Sequence, residues 1–212
     1  MNSISETTLL LFFVIPSLAQ FKNVKLAEQR PGDKYPPCEP SITINLDNPD
    51  NIVAGVILDR VIYTHDGGST WSEKTVTSPF GVFGDPAVLS DTKGNIYFFH
   101  LADPSGRRLI DEDLLDRIVV NKSKDGGVTW NDGVSIGHNP PKDQDKQWPA
   151  LNYKNDNLYV TWTQFDTHGS QDAACQSNIM FSKSTNKGDK WSDPIVLSQT
   201  PGDCKDDDNT TE

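Results

Sequence analysis

The octapeptide Ser123-Lys-Asp-Gly-Gly-Val-Thr-Trp130 constrains the fold most, because it recurs as Thr64-His-Asp-Gly-Gly-Ser-Thr-Trp71 and, degraded, as Ser184-Thr-Asn-Lys-Gly-Asp-Lys-Trp191. Each copy places an acid or its amide two residues after a hydroxyl, then a glycine, then a tryptophan. Such a run predicts a tight turn between strands. The acid accepts backbone N–H groups, the glycine takes positive φ and the indole covers the turn. The copies lie about sixty residues apart, so one supersecondary unit is repeated three times.

The chain of 212 residues has a formal net charge of −11, its 19 Lys and Arg being scattered among 30 acids. Phosphate-backbone binding needs a basic footprint, so nucleic-acid partners are excluded. Leu9 to Ile15 is too short to span a bilayer, and Pro16-Ser-Leu-Ala19 follows it with a break and small residues. Residues 1–19 therefore read as a secretory signal, which implies a secreted or periplasmic protein. Cys38, Cys175 and Cys204 fit an oxidising compartment.

Residues 20–37 hold three prolines and read as an extended lead-in. From residue 38 the pattern is all-β. Three units, about 38–78, 85–137 and 148–198, each show four strand-like runs in the same order, with the tryptophan turn between third and fourth. Buried runs such as Asn95-Ile-Tyr-Phe-Phe-His-Leu101 supply the second strands. Four-stranded antiparallel units that cannot bury both faces alone predict a β-propeller of which about three blades are present.

Meander topology puts the tryptophan turns on one face and the longest loops, Ala102 to Arg117, Gly137 to Gln147 and Asp166 to Ser177, on the other. Binding residues concentrate on such loops. The innermost strands open with Glu39-Pro-Ser, Asp85-Pro-Ala and Trp148-Pro-Ala, which predicts Glu39, Asp85 and Trp148 in register around a central channel. Asp145, Lys146 and Gln147 precede the tryptophan. Two carboxylates beside an indole suit acid–base work on a glycoside, with Glu39 and Asp85 catalytic and Asp145, Lys146, Gln147 and Trp148 contacting a glycan. The same acids could instead cap strand ends or hold calcium through oxygen ligands; no other cofactor is implied. His65, His100, His138 and His168 match no compact metal-ligand spacing. Asn121-Lys-Ser123 and Asn209-Thr-Thr211 are glycosylation sequons. Cys175 and Cys204 fall on adjacent loops of the third unit, so they are expected to pair, leaving Cys38.

The three turns, with Asp66, Gly68 and Trp71, Asp125, Gly127 and Trp130, and Asn186, Gly188 and Trp191, resemble the Asp box, or BNR repeat, of the sialidase-like propellers. The resemblance covers about residues 38–198. It implies a six-bladed ring, structural boxes, and either an exo-acting glycosidase or a non-catalytic glycan- or protein-binding propeller. Sialidases grip a sugar carboxylate with three arginines, the first in an Arg-Ile-Pro motif at an innermost strand. The matching place here reads Glu39-Pro-Ser-Ile42, and none of Arg30, Arg60, Arg107, Arg108 and Arg117 fills it. The remaining family residues are expected beyond residue 212.

Overall fold

Twelve strands and no helix make up the described part of the chain, residues 23–33, 35–106 and 113–205 of a computed structural model. They form three four-stranded antiparallel meanders. Sheet one comprises β1 (Ser41–Ile44), β2 (Ile52–Val56), β3 (Arg60–Thr64) and β4 (Ser72–Thr75). Sheet two comprises β5 (Gly84–Ser90), β6 (Ile96–Leu101), β7 (Ile118–Ser123) and β8 (Val134–Ile136). Sheet three comprises β9 (Asp143–Asn152), β10 (Asn157–Phe165), β11 (Ser177–Ser184) and β12 (Ile195–Val196). The three sheets do not close on themselves. The signal-like residues 1–19 and Asn209 lie outside the described residues.

The first strands lie side by side, β1 against β5 and β5 against β9, so the sheets are stacked like pages from one spine. Sheet two is covered on both faces. That is why all of β6 is buried and why its sequence, Ile-Tyr-Phe-Phe-His-Leu, is nearly continuously apolar. Val53, Val61, Tyr63, Val88, Ile96 and Phe98 fill the gap between sheets one and two. Phe99, Leu101, Leu158, Val160, Trp162 and Met180 are prominent in the second gap. The outer strand β4, Ser-Glu-Lys-Thr, is wholly exposed and charged, which protects a free edge.

All three turns have one hydrogen-bond pattern. The leading hydroxyl accepts the glycine N–H, at 3.1 Å for Thr64, 2.9 Å for Ser123 and 2.9 Å for Ser184. Asp66, Asp125 and Asn186 each accept a backbone N–H four residues on, at 2.8, 2.9 and 3.0 Å. Each indole N–H donates back to the glycine carbonyl, at 3.0, 3.1 and 3.2 Å. Hydrogen bonds from Thr64 and Thr70 hold the Asp66 carboxyl down at about 2.

The expected disulfide between Cys175 and Cys204 is present, and Cys38 is free and exposed. Residues 23–33 have no regular structure, but they dock on sheet one. Arg60, buried, donates to Glu28 O at 2.9 Å and to the Glu73 carboxylate at 3.1 and 2.7 Å, while Arg30 also pairs with Glu73. The sequon at Asn121 is closed to a glycan: the side chain is fully buried and its amide donates to Asn131 O at 2.6 Å.

Candidate functional site

Backbone geometry builds the site. Glu39, Asp85 and Lys146 all have φ of 50°, a left-handed conformation that non-glycine residues seldom adopt. The cross-strand pairs Ser41 with Gly55, Ala87 with Phe99 and Trp148 with Thr161 are equivalent in the three sheets. Lys146, two residues before Trp148, is thus the residue in line with the two acids. The expected register of Glu39, Asp85 and Trp148 is corrected by two residues. The cause is that β9 does not start at Trp148: its pairing with β10 runs on past a bulge between Thr161 and Thr163 to Asp143 opposite Phe165. Asp145, Lys146 and Gln147 therefore lie in a strand, not in the connection.

The three strand starts enclose a cleft of about 480 Å³, lined by Glu39, Asp85, Lys146, Gln147 and Trp148 together with Pro40, Pro86 and neighbouring β1 and β5 residues. All five belong to the predicted site. Lys146 Nζ donates to Asp85 Oδ2 at 3.0 Å. Burial, a hydrogen bond shared with Asp85 and the Asp85 charge push the Glu39 carboxyl up to about 7, against a smaller opposing pull from Lys146. Burial works to lower the Lys146 ammonium, but the hydrogen bond and charge of Asp85, then Asp145 and Glu39, hold it above the usual lysine range. The Gln147 amide donates to Asp85 O, and its own carbonyl oxygen is buried with no partner among the described residues. Trp148 stands at the rim, 75% exposed.

Both carboxyls line the cleft, and the Asp85 charge acts on Glu39 directly, so Glu39 and Asp85 form one electrostatically coupled unit. The cation at this unit is Lys146, and among the described residues no three His, Cys, Asp or Glu side chains converge to hold a metal.

Asp145 lies behind the cleft, buried, with Oδ1 accepting the Lys146 N–H at 2.7 Å and Oδ2 3.5 Å from His168 Nε2. Asp143 accepts the His168 backbone N–H at 2.7 Å, and burial pushes its carboxyl up. His100 is fully buried between Leu101 O and Asn121 Oδ1, at 2.7 and 2.8 Å, and belongs to packing. His138 faces Asp116 at 3.3 Å, and His65 lies in the first turn, away from the cleft. Arg117 pairs with Asp116 and covers the Phe80 ring at 4.9 Å, while Arg107 and Arg108 lie outside the described residues. Sequence reasoning missed Gln144, which is fully buried and accepts from Trp162 Nε1 at 2.7 Å and Gln164 Nε2 at 3.0 Å, fixing the start of β9. An isolated polar residue ahead of a strand carries no signal of such a role.

No protein-family model and no curated protein matches the chain. Among solved structures, a protein of unknown function from Dyadobacter fermentans aligns with a TM-score of 0.56 at 17% identity, over 77% of this chain and 56% of its own. An ulvan lyase aligns with a TM-score of 0.48 at 17% identity, over 74% and 41%. A Hadza microbial sialidase aligns with a TM-score of 0.43 at 14% identity, over 69% and 33%. This chain spans between 33% and 56% of the length of these three structures. At such identities a likeness concerns fold alone, and the Dyadobacter protein carries it.

Proposed function

We propose that this chain is part of a sialidase-like β-propeller, exported through its N-terminal segment, that binds a glycan in the cleft and cleaves a glycosidic bond there. The observation that carries this reading is the Glu39–Asp85 pair beside Lys146, with an exposed indole on the same rim. A carboxyl near 7 holds a proton for part of the time at neutral pH and is matched to general acid catalysis. Lys146 balances the charge at Asp85, so a proton leaving Glu39 for the glycosidic oxygen does not leave two uncompensated carboxylates. Trp148 offers a flat apolar face for a sugar ring. The propeller reading is supported by the ordered contact of β1, β5 and β9 and by the repeated turn. The disulfide supports an oxidising compartment.

A second reading, glycan binding without catalysis, is favoured by one feature: among the described residues the cleft lining contains no acid besides Glu39 and Asp85, so none of these residues faces the pair as nucleophile or base. Aryl glycosides, including a sialoside, and a glycan array separate the two. Turnover that falls about a hundredfold or more in Glu39→Gln, with binding kept, establishes the enzyme. Binding without turnover that Trp148→Ala removes establishes the binder, and a chain that does neither refutes both.

A further inference from the structure

The three strand starts share one local device. In sheet two, Gly84 pairs with Leu101 and Ala87 with Phe99, so Asp85 and Pro86 together oppose the single residue His100. In sheet three, Asp145 pairs with Thr163 and Trp148 with Thr161, so Lys146 and Gln147 oppose Trp162. Sheet one repeats the arrangement at the edge of its ladder. Ser41 pairs with Gly55, and Cys38 O accepts the Ile57 N–H at 3.1 Å, which leaves Glu39 and Pro40 opposite Val56. Each start is a β-bulge whose first residue is the left-handed one, a geometry that re-aims a side chain out of the ladder.

The bulges differ in how they are held. In sheets one and two the second bulge residue is Pro40 or Pro86, whose ring fixes its own φ, and the residues ahead, Cys38 and Gly84, carry no carboxylate. Sheet three has Gln147 in place of the proline, so its strand start keeps a rotation that the other two lack. Side chains supply what the ring does not. Asp145, ahead of the bulge and buried, accepts the Lys146 N–H on Oδ1 at 2.7 Å, and its Oδ2 stands 3.5 Å from His168 Nε2. His168 comes from the connection between β10 and β11 and is itself held twice. Its N–H donates to Asp143 Oδ2 at 2.7 Å, and its ring meets the Phe165 ring edge-on at 5.0 Å. Phe165 packs in turn on the Cys175–Cys204 disulfide, which ties that connection down.

We propose that His168 is a positioning residue for the cleft: by pairing with Asp145 it keeps that carboxylate on the Lys146 N–H, and through the bulge it keeps Lys146 Nζ on Asp85. Its consequence for catalysis rests on the glycosidase reading above. Lys146 is the cation that balances Asp85 and opposes the upward push on Glu39, so a slack bulge in sheet three is felt at an acid in sheet one.

Two replacements separate pairing from packing. His168→Phe keeps a ring on Phe165 and loses the group that meets Asp145, whereas His168→Gln keeps a donor of similar reach and loses the ring. The Glu39 carboxyl is followed by carboxyl-carbon NMR titration, and turnover of whichever aryl glycoside the wild type cleaves is measured alongside. In His168→Phe, Glu39 should titrate at a higher pH than in the wild type, and kcat should fall about tenfold with KM changed by less than about twofold. His168→Gln should restore both. The reverse pattern, with the Phe variant normal and the Gln variant altered, assigns His168 to packing and overturns the inference. So does a titration that both replacements leave unchanged or displace alike, or a kcat unaltered in His168→Phe. A wild type that cleaves no glycoside refutes the glycosidase reading alone, because the Glu39 titration still reads the position of Lys146.

Discussion

Glu39 gives a stability prediction with a fixed sign. Its carboxyl titrates at about 7 in the folded chain against an ordinary value of 4.5, so the folded state binds the proton more tightly than the unfolded one. The resulting stabilisation is complete below about pH 4.5 and is lost as the pH rises through about 7. A displacement of this size corresponds to about 3 kcal/mol for an enclosed group. Glu39 is exposed along one side, and solvent screening brings the expectation down to about 1 kcal/mol. Urea denaturation from pH 4.5 to 8.5 measures it. The wild type should lose about 1 kcal/mol more than Glu39→Gln over that range, because the amide removes both the titration and the repulsion from Asp85. An equal pH slope in the two proteins refutes the upward displacement of the Glu39 carboxyl, and a wild type that grows more stable with pH in excess of the variant reverses its sign.

Asp125→Ala removes acceptors for Thr129 N and for the hydroxyls of Ser123 and Thr129, in a turn seated on Tyr63, and should destabilise by about 1–2 kcal/mol in urea denaturation. Asp66→Ala should cost less, since among the described residues no sheet rests on the first turn. Trp162→Ala empties a fully buried position between sheets two and three and removes one of the two donors to the Gln144 carbonyl oxygen, with an expected loss of about 3–5 kcal/mol in urea denaturation or of soluble yield. Paired Ser replacements at Cys175 and Cys204, 29 residues apart, should lower stability by about 2–4 kcal/mol.

Local chemistry made the turns legible in the sequence. A hydroxyl, an acid, a glycine and an indole within eight residues satisfy one another, so their spelling survives whatever packs around them. The continuous apolar run of β6 was legible for the same kind of reason, since a strand covered on both faces needs no alternation. The cysteine pair followed from topology, because two loops of one meander end on the same side. Register at the cleft was not legible. Pro149 repeats the spelling of Pro40 and Pro86, but it lies two residues further along its strand, because β9 extends back to Asp143 opposite Phe165. Nor did Phe21 to Pro37 announce a partner: Arg60 is an ordinary strand arginine until Glu73 and Glu28 O are brought around it.

The recurring left-handed residue ties strand geometry to the cleft. Holding a β-carbon in that region costs about 1–2 kcal/mol, and glycine would relieve it. Yet three equivalent positions carry Glu39, Asp85 and Lys146, the side chains whose charges meet in the cleft. Asp145 helps to hold the third of them by accepting the Lys146 N–H, and Gln147 ties the same strand to Asp85 O. Strain repeated at one place in three sheets, each time under a charged residue, marks the strand starts as the part of the fold where side-chain chemistry outweighs backbone comfort. Elsewhere in the repeat the opposite choice is made: Gly127 and Gly188 occupy the positive-φ positions where two sheets touch and no side chain would fit without displacing Tyr63 or Tyr97.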